Sequence, residues 1–141
     1  MWIQEHRQLV KGIKKEAVWQ IWKDINHWTT WHDDLEYCQL HGEFATGNFF
    51  MLKPKNASAV KIMITDLKEN EYFTDCTQFF GAKMYDTHAM EETDEGLLLT
   101  NKLVVTGPLQ WLWIRLVARH VADSVPQELA SLIQLASQKN A

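Results

Sequence analysis

Asp86, His88 and Asn101 are the residues of this chain best placed to do chemistry. Asp86 and His88 are two apart, so on a strand both side chains leave the same face, roughly 6.5–7 Å from one another. A carboxylate and an imidazole at that separation can bridge a ligand hydroxyl or a water, and imidazole can give or take a proton near neutral pH. Asn101 joins them if one hairpin closes in a particular register. Residues 82–92 and 97–106 read as its two strands, and Thr93-Asp94-Glu95-Gly96 as a four-residue loop pairing Glu92 with Leu97. His88 then faces Asn101, Asp86 faces Leu103, Met90 faces Leu99 and Met84 faces Val105. All eight share one face; Lys83, Tyr85, Thr87, Glu91 and Lys102 take the other, which suits solvent. The apolar members turn the first set inward and carry the three polar side chains with them. A slip of one residue would reverse every facing. Such a buried cluster can satisfy itself or hold structural water, or orient a ligand. In the sharper alternative, His88 and Asp86 are a catalytic acid–base pair.

Other candidates are weaker. His120 lies on the apolar stripe of a long C-terminal helix and reads as a core histidine facing the sheet. His27 and His32, beside Asp33 and Asp34, loosely resemble metal ligands, but their spacing fits neither a helix face nor a zinc pattern. No metal and no cofactor are expected. There is no GxSxG motif and no phosphate-binding glycine loop. Trp28 and Trp31 are three apart, so both rings can cap one end of the core or line the mouth of a cavity. In Trp111-Leu112-Trp113 one ring can pack inside while Trp111 stays exposed to a partner or a membrane surface. Met51, Met63, Met84 and Met90 read as core or as the wall of an apolar pocket.

The elements that must hold these residues are legible in the period of the sequence. Thr106-Gly107-Pro108 breaks the strand pattern; Gly107 can turn freely and Pro108 suits a first helical position. From Leu109 to about Gln138 the spacing is helical, with Leu109, Trp113, Leu116, Val117, His120 and Ser124 on one stripe and Ile114, Ala118, Val121 and Val125 on an adjoining one. Pro126 removes one hydrogen bond inside it and predicts a bend, shaping the helix to the sheet or letting it move when ligand enters. Upstream, residues 2–10 suit a first strand, and Ala17, Val18, Ile21, Trp22 and Ile25 a helix. Residues 27–32 suit a second short helix or tight loop. Strands then come at 35–40, 47–53, 59–67, 72–80, 82–92 and 97–106. So broad an apolar arc on the last helix needs a concave partner, which one curved antiparallel sheet supplies.

The chain has 141 residues, 46% hydrophobic and 23% charged, a range that fits one domain over residues 1–141. Its net charge of -4, with no Lys/Arg stripe, argues against a nucleic-acid partner. No window reaches the length of an integral membrane segment, and residues 1–7 do not read as a signal peptide. Cys38 and Cys76 lack any zinc or CxxC spacing and read as reduced strand residues, which points to a cytoplasmic protein.

Over essentially its whole length the chain resembles the START/Bet v 1-like superfamily, also labelled SRPBCC, the polyketide cyclase/dehydrase and lipid-transport group. The likeness is carried by Glu16-Ala17-Val18-Trp19, Asp24, Trp28 and Trp31, then Leu40-His41-Gly42-Glu43-Phe44-Ala45-Thr46-Gly47. Further on it rests on His88 before Glu91-Glu92, Gly96, Val105-Thr106-Gly107-Pro108-Leu109, and Pro126 to Leu132. The resemblance implies an α+β helix-grip fold: a seven-stranded antiparallel curved sheet around a long C-terminal helix, with two short helices between strands 1 and 2. It also implies a pocket for a hydrophobic or amphipathic small molecule. The residues expected to line that pocket are Met84, Asp86, His88, Met90, Leu99, Asn101, Leu103, Trp28, Trp31, Trp113, Leu116 and His120. A cyclase- or dehydratase-like enzyme on the same pocket, or a protein-interaction module, are the alternatives, since one fold serves many functions.

Overall fold

From Leu97 to Val105 every second residue is buried, and this strict alternation is repeated, less cleanly, along the strands beside it. In the computed structural model, which describes residues 1–140, the strands are β1 (Trp2–Val10), β2 (Leu35–His41), β3 (Phe49–Pro54), β4 (Val60–Lys68), β5 (Tyr72–Phe79), β6 (Ala82–Thr93) and β7 (Gly96–Thr106). Ala141, the last residue of the expected domain, lies outside the described residues. The strands form one antiparallel sheet in the order β1-β7-β6-β5-β4-β3-β2. Between β1 and β2 come α1 (Lys15–Lys23) and a short 3-10 helix (Ile25–Thr30). Register irregularities at Leu35/Tyr37 and Ile64/Asp66 mark β-bulges, which bend the strands that carry them.

The β6–β7 register is the one expected: Glu92 pairs with Leu97, Met90 with Leu99, His88 with Asn101, Asp86 with Leu103 and Met84 with Val105. The ladder runs one pair further, Thr93 with Gly96, so the connection is shorter than the expected four residues. Thr93 Oγ1 donates to the Gly96 carbonyl at 2.8 Å and accepts from the Glu95 N–H, which closes the tighter turn.

At the sheet-to-helix junction, Gly107 has φ of +110°, and a Cβ there would stand 2.5 Å from the Gly81 carbonyl oxygen. Only glycine fits. Beyond it the helix is not one regular rod. It consists of α2 (Gln110–Trp113), a π-helical turn (Ile114–Ala118) and α3 (Arg119–Asn140), which runs through Pro126. The wider turn takes up extra chain, and each extra residue rotates the downstream turns by about 100° relative to a continuous α-helix. That rotation corrects two expectations: Leu116 is 59% exposed and His120 is also exposed, so neither faces the sheet. Val117 and the adjoining stripe of Ile114, Ala118 and Val121 do turn inward, succeeded along the helix by Val125, Leu129, Leu132 and Ala136.

The interior has two apolar parts. The larger holds Val18, Trp19, Trp22, Ile25, Trp28, Trp31, Phe50, Phe73, Met90, Leu97 and Leu99 beneath Leu129 and Leu132. The smaller holds Met84, Leu103, Val105 and Ala118, with Trp2, Phe79 and Ile114 against it.

Candidate functional site

The two apolar parts are separated by a polar belt across the inner face of the sheet. Strand pairing sets it. Gln4 and His6 of β1 oppose Leu103 and Asn101 of β7; Asn101 opposes His88 of β6; Asp86 of β6 opposes Asp75 of β5, and Met84 opposes Thr77. Asn101, Asp75 and Thr77 are buried, and the Asp86 and His88 side chains are 17% and 13% exposed. The expected cluster therefore exists. Asn101 Nδ2 donates to Asp86 Oδ1 at 2.8 Å and lies 3.4 Å from His88 Nδ1, while His88 Nε2 stands 3.5 Å from Asp86 Oδ1.

His88 is held by rings. It stacks on Phe73 at 4.4 Å and meets Trp22 and Trp28 at 5.8 and 6.3 Å. An N–H donated by Asn101 to Nδ1 leaves Nε2 as the nitrogen nearest Asp86. Burial pushes the Asp86 carboxyl above the ordinary carboxylate value; Glu128 adds to the rise, while His88 and Asn101 oppose it. Asp75 is pushed well above it, by burial first and then by Asp86 across the strand pair.

Of two further members of this neighbourhood, Asp75 was not expected from sequence, and His32 was expected only beside His27, Asp33 and Asp34. Asp75 falls on the inner face because the β5–β6 hairpin turns tightly at Phe80-Gly81 and pairs Phe79 with Ala82. Counting back from that turn by twos would have found it. His32 is buried with its Nδ1 3.3 Å from Glu128 Oε1 of α3, and Ser124 Oγ donates to the same oxygen at 3.0 Å. No local spacing announces a contact across that much chain. Among the described residues, two groups place ligand-type atoms within 4.8 Å of one another: His32 with Asp34 and Glu128, and Asp75 with Asp86 and His88. His27 is not among them; it is exposed and pairs with Asp24 at 2.8 Å.

The remaining candidates are distributed unevenly. Trp28 and Trp31 are buried and help fill the larger apolar part. Trp28 packs on Phe50 at 5.3 Å and on Trp31 at 5.7 Å, and its Nε1 donates to the Trp22 carbonyl. Met90 and Leu99 are buried in the same part, Met84 and Leu103 in the smaller one. Trp113 stands at the far end, stacked on Phe79 at 4.5 Å, and does not reach the polar cluster. Among the described residues, the Trp22 and Trp31 indole N–H groups and His32 Nε2 are buried without hydrogen-bond partners.

A cleft of about 250 Å³ opens between α3 and the β1–β7 edge, lined by Gln4, His6, Asn101, Leu103, Ala122, Asp123, Val125 and Pro126. It ends on the belt. Larger depressions, about 830 Å³ beside Met63, Cys76, Lys83 and Tyr85 and about 540 Å³ beside Gly12 and Gly96, are more open to solvent and are not lined by Asp86, His88 or Asn101.

The sequence matches no protein-family model and no curated protein. Solved structures do match. Protein MLL2253 from Mesorhizobium loti superposes with a TM-score of 0.75 at 14% identity, covering 97% of this chain and 98% of the other. Norcoclaurine synthase from Thalictrum flavum, in complex with dopamine and hydroxybenzaldehyde, gives 0.71 at 11% identity over 97% and 84%. Major latex-like protein 151 from Panax ginseng gives 0.68 at 14% identity over 99% and 97%. With its sheet order, its paired short helices after β1 and its long terminal helix, the chain has the helix-grip fold of the START/Bet v 1-like proteins.

Proposed function

We propose that the protein binds a small amphipathic molecule in the cleft between α3 and the β1–β7 edge. The observation that carries this is Asn101, a buried amide tied to Asp86 and adjoining His88 that also lines the cleft. Leu103, Val125, Ala122 and Pro126 offer apolar contact, and the belt offers polar anchors, the usual division of labour in a ligand site. Asp86 and Asp75 behind the floor and Asp123 at the wall favour a hydrogen-bond donor or a cation over an anion. The ligand is small. About 250 Å³ lies below the roughly 300–1,000 Å³ of drug-sized sites, and the larger apolar part is occupied by Trp19, Trp22, Trp28, Phe50 and Phe73. A long lipid chain has no room there. One protein of the same fold holds dopamine and hydroxybenzaldehyde, molecules of the size class this cleft accepts.

The test is recovery of a bound molecule from the purified protein by native mass spectrometry and denaturing extraction, with Ala122→Phe as the variant that fills the cleft. A bound mass lost in that variant supports the proposal; a mass retained in it puts the ligand elsewhere.

A second possibility is acid–base catalysis in the same place, favoured by the raised carboxyl of Asp86 beside His88. His88→Ala would then abolish turnover while ligand affinity survives; equal loss of both leaves binding alone.

A further inference from the structure

Three large apolar side chains in solvent belong to one end of the molecule: Phe80, Trp111 and Leu116, at 84%, 63% and 59% exposure. Phe80 tips the β5–β6 turn, and the α2 segment lies against that turn. Trp113 Nε1 donates to the Phe80 carbonyl at 2.7 Å, and the Leu109 N–H donates to the Gly81 carbonyl at 2.9 Å. Along the helix, Trp111, Arg115, Leu116, Arg119 and His120 are all exposed. The π-helical turn that removes Leu116 from the core is what adds it to this outer face. π-turns are rare and recur at functional positions.

Charge at this end is one-sided. Residues 76–85 and 103–122, which lie toward this end, contain three Lys or Arg and no Asp or Glu, in a chain whose net charge is -4; the first carboxylate along the helix is Asp123, one turn beyond Arg119. Exposed Trp and Phe beside guanidinium groups suit the boundary between lipid headgroups and acyl chains, where rings sit at headgroup level and cations meet phosphates. A symmetric contact between two copies would bring together two patches of the same positive sign. No helix of the described residues is long and apolar enough to cross a membrane, so the contact is with a surface.

The geometry points to the Phe80 turn and the Trp111–His120 face as a seat for an anionic lipid surface. Phe80, Trp111 and Leu116 enter the headgroup boundary, and Lys83, Arg115 and Arg119 meet lipid phosphates. The seat does not depend on the cleft at Asn101.

Co-sedimentation of the full chain with phosphatidylcholine vesicles, and with the same vesicles containing phosphatidylserine, tests it. Binding is expected only with phosphatidylserine present and should weaken as salt is added. Arg115→Ala and Arg119→Ala should each weaken it about fivefold, and the double variant Trp111→Ala/Leu116→Ala should abolish it. The side chains removed are exposed, so unchanged thermal melts confirm that the variants fold. Absence of sedimentation, equal binding to both vesicles, or binding that survives the double variant overturns the assignment. A concentration-dependent dimer that Trp111→Ala dissociates, without vesicle binding, overturns it in favour of a second copy.

Discussion

At Asn101 a single amide nitrogen reaches both Asp86 and His88, and the belt is organised around that contact. Asn101→Ala leaves a buried carboxylate oxygen without its donor and should cost about 1–3 kcal/mol in urea unfolding; an unchanged midpoint would mean that water replaces the amide. The raised carboxyls have a sign that can be checked. Asp75 and Asp86 have folded values above the ordinary carboxylate range, so their contribution is fully present below the unfolded value and is lost as pH rises through the folded ones. Wild type should therefore lose stability relative to Asp75→Asn as pH climbs from about 4 toward neutrality; a difference that does not vary with pH contradicts this. Cys38 is pushed up to about 12, by burial first and then by Asp34. It should resist iodoacetamide at pH 8 in the native protein and react once unfolded, since the thiolate is the nucleophile. The pairing of His88 with Asn101 was legible because one tight hairpin fixes it. The contact of His32 with Glu128 was not, because it joins the loop before β2 to α3 and depends on how the helix seats.

Among the elements, the seven strands follow from alternation and turn residues nearly to the residue, whereas the last helix follows only in part. Helical spacing placed Leu116 and His120 on the inner stripe on the premise of uniform turns. The π-helical turn breaks that premise, and no residue type in Ile114-Arg115-Leu116-Val117-Ala118 marks it. The junction before it is more legible. Gly107→Ala would force a Cβ to 2.5 Å from the Gly81 carbonyl at positive φ and should destabilise by at least about 1–3 kcal/mol. A thermal midpoint unchanged by that variant would show that the junction relaxes. In the short 3-10 helix, Trp28 meets Trp31, Phe50, Phe73 and His88. Trp28→Ala should cost about 3–5 kcal/mol, far more than an exposed change such as Trp111→Ala, which should fall within about 0.5 kcal/mol.

For the molecule as a whole, the resemblance foretold a sheet gripping a helix, and that architecture is present. It also implied a pocket between them for a hydrophobic or amphipathic small molecule, and composition alone could not say how seven tryptophans and six phenylalanines would divide between wall and filling. Trp19, Trp22 and Trp28, with Phe44, Phe50 and Phe73, stack edge to face through the larger apolar part. Between α3 and the β1–β7 edge, a cleft of about 250 Å³ ends on a polar floor. Extraction of the purified protein after native mass spectrometry tests this account most directly. It predicts one small bound molecule per chain, released on denaturation and lost in Ala122→Phe. A protein that carries nothing, or an Ala122→Phe variant that keeps the same mass, would contradict it.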